Sequence, residues 1–229
     1  QNIASEVGAL TMADISHTAG LIAGKKLVNP TTIFDVVTTT THKTLRGPRG
    51  AMIMCKKELA KDIDRAVFPG LQGGPHDHVT AAKAIAFGEA LQPDFQDYAR
   101  QVILNAQLLA SELTNKGYQI VSGGTDTHLL VIDLTKQDLA GRQAEEALQA
   151  AGLSVSRSTV PGDKRPPLNP SGIRIGTAAI TTRGFKETEI KQVATWIDSA
   201  ITNYNQPEQL ALIKEQVTAL GRRLPPPGL

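Results

Sequence analysis

TTTTHKTLRGPRG, Thr38–Gly50, is the stretch on which the reading of the fold turns. Ile33, Phe34, Val36 and Val37 lead into Thr38, Thr39, Thr40 and Thr41, and His42 and Lys43 follow. β-Branched side chains in a row are stiff at χ1 and favour a buried strand. Leu45-Arg46-Gly47-Pro48-Arg49-Gly50 is turn chemistry. Lys43 is therefore expected just past a strand end, where loops meet ligands. A lysine amine there becomes a nucleophile when it is partly desolvated or set beside another cation, and His42, Arg46 and Arg49 are candidates for that field. Taken alone, the spacing fits a solvated lysine on a turn as well, because lysines are mostly exposed.

Upstream, Ala9–Asp14 is a short apolar run ending in a carboxylate. A strand delivering Asp14 at its C-terminal end suits an α/β sheet, where ligands gather at the carboxyl ends of strands. Downstream, Ala51–Met54 reads as a returning strand, Lys56–Asp64 as a helix, Phe68–Pro75 as a glycine-rich loop and Val79–Leu91 as an alanine-rich helix. The style changes at Gln92-Pro93. Asp94 is a candidate N-cap for a long amphipathic helix in which Phe95, Tyr98, Val102, Ala106, Leu109 and Leu113 recur every three or four positions, stopping at Gly117. Then come a strand (Leu129–Leu134), a helix (Gly141–Ala151), a short strand (Ile173–Gly176) and two helices (Lys186–Tyr204 and Pro207–Leu220). The expected division is a first domain over 1–92 and a second over 93–229.

The composition excludes several classes. With 229 residues and 41% hydrophobic content, the chain suits one large or two modest globular domains. Its 24 Lys+Arg against 22 Asp+Glu leave a net of only +2, giving no reason to invoke nucleic acid or an anionic membrane. No apolar run approaches the ~20 residues that cross a bilayer. The single cysteine, Cys55, permits no internal disulfide and points to a reducing, cytoplasmic setting. His76-Asp77-His78 lies on a Gly-Pro loop without a third ligand nearby, so no metal is expected.

Four further stretches accompany the threonine run in order: ADISHTAGLIAG (Ala13–Gly24), FPGLQGGPHDH (Phe68–His78), SGGTDTHLL (Ser122–Leu130) and SGIRIGTAAITTRGF (Ser171–Phe185). Together the five resemble serine hydroxymethyltransferase, a family of fold-type-I pyridoxal-phosphate enzymes, over nearly the whole chain. The resemblance implies an α/β fold: the C-terminal part of an aspartate-aminotransferase-like large domain, then a small α+β domain. It also implies interconversion of serine and glycine with tetrahydrofolate as one-carbon acceptor, by a cytoplasmic homodimer or tetramer. A threonine aldolase, which needs no folate, and a non-catalytic fragment are the alternatives.

By the same resemblance, Lys43 holds pyridoxal phosphate covalently, and Asp14 faces its pyridine nitrogen and keeps it protonated. His17 lies beside the ring, His42 and Thr40 line the pocket beside the lysine, and Arg49 joins the cofactor residues. Gly73 and Gly74 are placed at the cofactor phosphate of the partner subunit; their missing Cβ lets backbone N–H groups approach an anion. Gly123-Gly124 has equal local merit. Arg174, between Gly172 and Gly176, matches the arginine that grips the amino-acid carboxylate with two parallel hydrogen bonds; an interdomain salt bridge is its plain alternative.

The chain departs from the family pattern at Ser16, where alanine is usual, at Ala178, where proline is usual and a looser turn is expected, and at Ser158, where asparagine is frequent. QNIASEVGAL lacks an initial methionine and reads as the tail of a helix. The chain is accordingly expected to be a C-terminal portion, inactive alone and poorly folded before residue 94.

Overall fold

In the computed structural model, residues 2–228 are described. The chain divides into a first compact unit ending at Arg100 and a second beginning at Gln101. The fold is mixed α/β.

The first unit is built on a three-stranded sheet: β1 (Met12–Asp14), β2 (Val36–Thr40) and β3 (Ala51–Cys55), in that order. β1 and β2 are parallel with Asp14 opposite Thr38; β2 and β3 are antiparallel with Thr40 opposite Ala51. The threonine run is not buried as a whole. Side chains alternate across a strand, so Val37 and Thr39 are buried while Thr38 and Thr40 face the other way. Thr41 lies past the strand, because its groups close the following turn: its N–H donates to the Gly50 carbonyl at 3.0 Å and its hydroxyl to the Pro48 carbonyl at 2.6 Å.

Helices α1 (Asn2–Glu6), α2 (Ala19–Ala23), α3 (Lys57–Arg65), α4 (Asp77–Ala90) and α5 (Pro93–Asn115) accompany this sheet. Two expectations need correction. The segment from Phe68 is not wholly a loop, since a wide helical turn spans Ala66–Leu71, interrupted at Phe68 (φ −135°, ψ 125°) before Pro69. Asp94 is not the N-cap of α5. The helix begins at Pro93, whose fixed φ suits a first helical position, and Asp94 lies in the first turn, where a carboxylate favours the helix dipole. The apolar face of α5 is as the spacing predicts: Phe95, Tyr98, Val102, Ala106, Leu109 and Leu113 are all buried. Its first turns belong to the first unit and the remainder to the second.

The second unit holds an antiparallel sheet in the order β4-β5-β7-β6: β4 (Gln119–Ile120), β5 (Leu129–Asp133), β6 (Ser156–Ser158) and β7 (Gly172–Gly176). Its helices are α6 (Gly141–Ala150), α7 (Ala178–Thr182), α8 (Glu187–Thr202) and α9 (Pro207–Arg223). Leu130 and Ile132 of β5 and Ile173 and Ile175 of β7 turn one sheet face into a core with Leu148 of α6 and Ile190 and Ile197 of α8. α8 ends two residues before the expected Tyr204, which is 41% exposed and outside the core. Its start is held by the Glu189 carboxylate, which accepts the Lys186 N–H at 3.0 Å.

Ile132 is fully buried, with Ile120 and Ile173 as its partners on the flanking strands. Ile132→Ala is expected to cost about 2–5 kcal/mol of the second unit's stability through lost transfer energy and the cavity left behind. The midpoint of urea unfolding measures this, and a loss under about 1 kcal/mol would contradict the core described.

Candidate functional site

The end of the β1–β2 pair gathers the polar side chains. Asp14 closes β1, and its Oδ2 accepts the Thr38 hydroxyl at 2.6 Å and the Ser16 hydroxyl at 3.1 Å. Its Oδ1 accepts the Ser16 N–H at 3.2 Å. These bonds, Thr38 first, hold the carboxyl below its usual range despite some desolvation, and the Lys43 ammonium adds to the effect. Asp14 is thus ionised at neutral pH while remaining exposed.

Lys43 follows β2 by three residues and donates its Nζ to Thr40 Oγ1 at 3.1 Å. Thr40 in turn donates its N–H to Ser16 Oγ at 3.0 Å. Asp14, Ser16, Thr40 and Lys43 therefore form one connected polar group. The turn carrying Lys43 is fixed from behind by Thr44, which is fully buried. The Thr44 hydroxyl donates to the His17 carbonyl at 2.8 Å and accepts the Gly20 N–H at 3.0 Å, and its carbonyl accepts the Tyr98 hydroxyl at 3.1 Å. A Cβ at Gly20 would overlap the Thr44 backbone, so only glycine permits α2 this close. Arg46, at φ 60°, lies over the Tyr98 ring with its guanidinium carbon 4.1 Å from the centroid. Neither Thr44 nor Tyr98 was singled out from the sequence as a site residue. Their bonds join positions far apart in the chain and leave no local pattern.

The remaining candidates of the first unit are placed less tightly. His17 is exposed on the turn after β1. His42 is half-buried, and its enclosed Nδ1 has no hydrogen-bond partner among the described residues. Arg49 is exposed on the turn. Gly73 and Gly74 are exposed in the segment before α4, with open space where a Cβ would stand. Among the described residues there is no group of three His, Cys, Asp or Glu suited to a metal, and no helix long and apolar enough to cross a membrane.

Arg174 belongs to the second unit. It sits mid-strand in β7 opposite Val131 and Ser156. Because Ile173 and Ile175 point to the core, alternation places Arg174 on the open face. There it lines a cavity of about 500 Å3 together with Gly123, Gly124 and Thr127. The glycine pair that competes with Gly73-Gly74 on local merit thus lies beside the arginine.

The family model for serine hydroxymethyltransferase matches residues 1–197. The chain belongs to the serine hydroxymethyltransferase family. It is 52% identical over 225 residues to a serine hydroxymethyltransferase of Acidobacterium capsulatum, covering 98% of this chain and 53% of that protein. It is 52% identical over 229 residues to one of Desulfotalea psychrophila, covering 100% of this chain and 54% of the relative. A third, of Sorangium cellulosum, is 51% identical, with 99% and 54% covered. The chain spans about half the length of these relatives.

Two departures from the serine hydroxymethyltransferase pattern have a visible local structure. Ala178 opens α7, but the turn before it is tied down. Thr177 is fully buried, its hydroxyl donates to the Val102 carbonyl at 2.8 Å and its N–H to the His128 carbonyl at 3.0 Å. Ser158 on β6 donates its hydroxyl to the Thr159 carbonyl at 3.2 Å. Beyond it, the loop leading to β7 is organised by one carboxylate. Asp163 accepts the N–H groups of Val160 (3.3 Å), Arg165 (2.9 Å) and Ser171 (2.9 Å), and the Ser171 hydroxyl at 2.7 Å. The Ser171 amide first, then its hydroxyl, hold this carboxyl far below the ordinary value of 3.8.

A carboxyl depressed in the folded state contributes above its unfolded value and loses that contribution as pH falls through the folded one. The amides of Val160, Arg165 and Ser171 should therefore stay protected from hydrogen exchange down to about pH 4 and lose protection only in stronger acid. In Asp163→Ala they should exchange faster than in the parent from neutral pH down to about pH 4, with the difference fading in stronger acid. Unchanged protection in that variant would show that the loop is held by something else.

Proposed function

We propose that the protein containing this chain interconverts serine and glycine, with tetrahydrofolate as the one-carbon acceptor and pyridoxal phosphate bound to Lys43. The observation carrying this reading is the connected group Asp14–Ser16–Thr40–Lys43 in a chain of this family. It supplies an amine at a strand end and a carboxylate held ionised on the neighbouring strand, which suit the cofactor's carbonyl and its protonated pyridine nitrogen. The enclosed Nδ1 of His42 adds a polar atom beside the lysine that awaits a partner. When bound, the cofactor acts as the electron sink for cleavage of the serine Cα–Cβ bond.

The chain's own side chains have narrower tasks. Lys43 supplies the attaching amine. Thr40 orients it through its hydroxyl. Asp14 keeps a proton on the ring nitrogen, and His17 and Arg49 border the ring and its substituents. Arg174 holds the carboxylate of the amino acid in the cavity it shares with Gly123 and Gly124. The fold type is that of the aspartate-aminotransferase-like enzymes, with residues 1–92 in the large domain and 93–229 in the small one. The assembly is a cytoplasmic homodimer in which Gly73 and Gly74 reach the partner subunit's cofactor phosphate.

Two experiments test this. Borohydride reduction of the full-length protein with its cofactor, followed by peptide mapping, should label Lys43. A label on Lys25, Lys26 or Lys83 would overturn the assignment, and Lys83 already donates to the Ala51 carbonyl at 2.9 Å. Serine turnover should require folate; turnover without it would favour an aldolase.

Arg174→Lys should leave the cofactor's visible absorption intact while raising the KM for serine about tenfold or more, because lysine cannot form the paired hydrogen bonds and each charge-assisted bond contributes on the order of 1.5–3 kcal/mol. An unchanged KM would make Arg174 structural.

A further inference from the structure

We propose that Ser16 is a positioning residue for Asp14, its hydroxyl locking the carboxylate to the strand end that carries Lys43. The proposal rests on the reading of Asp14 as the cofactor's carboxylate. Ser16 is only 7% exposed, so its hydroxyl has little access to water. Its Oγ accepts the Thr40 N–H at 3.0 Å and lies 3.1 Å from Asp14 Oδ2. Since the Thr40 amide has no choice but to donate, the hydroxyl proton is directed at Asp14. A carboxylate receives that proton well; a protonated carboxyl competes with it. The backbone of Ser16 makes the same two connections again, its N–H to Asp14 Oδ1 at 3.2 Å and its carbonyl to the Thr40 hydroxyl at 3.4 Å.

An alanine here keeps only the backbone bonds and leaves the Thr40 amide without its acceptor. The position is thus more than a methyl-to-hydroxymethyl change on a turn. It joins the two strands of the site at the level of their functional side chains. The groups acting on Asp14 are the Thr38 hydroxyl from β2, the Lys43 ammonium from the turn after it, and Ser16. Removing the Ser16 hydroxyl leaves the first two in place, so the carboxylate is expected to become more basic and less firmly oriented without losing its charge at neutral pH.

The test uses the full-length protein, cofactor-free, with carboxyl-labelled aspartate and Asp14→Asn to assign the resonance. In Ser16→Ala the Asp14 pKa should rise, since a hydrogen bond to the charged form is lost. Ser16→Thr retains the hydroxyl and should hold the parental value. In parallel, dilution of the cofactor-loaded proteins should release pyridoxal phosphate several-fold faster from the alanine variant than from the threonine one. An Asp14 pKa unmoved in Ser16→Ala, or raised equally in both variants, would overturn the proposal. If instead the parent fails to attach the cofactor at Lys43, the functional reading falls while the titration remains interpretable. Alanine is compatible with this turn, so a folding failure does not obscure the result.

Discussion

The parallel pairing of β1 with β2 is the constraint on which the first unit depends. Its register sets Asp14 opposite Thr38. Strand side chains alternate, so a slip of one residue would turn Thr38 and Thr40 inward and Val37 and Thr39 outward. Val37 is 1% exposed and Thr39 2%, and that burial opposes the slip. The apolar face thus fixes which threonines meet Asp14, and the hydroxyl of Thr40 then meets Lys43. Packing on one face of the strand dictates chemistry on the other.

The second unit obeys the same rule with a different outcome. Ile173 and Ile175 turn into the core, and Arg174 between them has no alternative to the open face. Neighbouring strands contribute Val131 and Ser156 at its level, neither of which is charged. Set mid-strand, Arg174 is exposed on that face. The carboxylate of Asp163 pins the approach to that strand by binding both the amide and the hydroxyl of Ser171.

Much of this was legible in the sequence, for identifiable reasons. The face of α5 repeats every three or four residues over many turns, so periodicity found it, while β5 showed as a short continuous apolar run. Lys43, Asp14 and Arg174 stood out because each sits at a strand or beside glycines in a recognisable stretch. What escaped notice has no period. β4 is two residues long and β6 is Ser-Arg-Ser, too short and too polar to show a pattern. Thr44 bonds to the carbonyl of His17 across 27 positions, and nothing near either residue announces it. Ser16 read as a mild departure because its worth lies in two bonds made across a strand pair. The Phe68 segment misled in the opposite sense, since proline and glycine suggested a loop where a wide helical turn forms.

Two carboxylates bracket the β1–β2 pair and are held by different kinds of donor. Asp35, at the start of β2, accepts the Thr11 N–H and hydroxyl on Oδ2, each at 2.7 Å, while Oδ1 pairs with Lys56 at 2.5 Å. Lys56 and Thr11 hold it far below the usual carboxylate range, and both of its oxygens are occupied by protein groups. It buttons the strands together at their beginning. Asp14, at the other end, has Oδ2 filled by Thr38 and Ser16, but the Oδ1 bond among the described residues is one N–H at 3.2 Å. A carboxylate offers about four acceptor sites. Asp14 is therefore held charged and oriented by one oxygen while the other keeps capacity for a further donor. Asp35 also has three donors, so the two differ not in number but in kind: Asp35 is half-buried with an ammonium in direct contact, whereas Asp14 is exposed and held by two hydroxyls and an amide, with no cation in direct contact among the described residues.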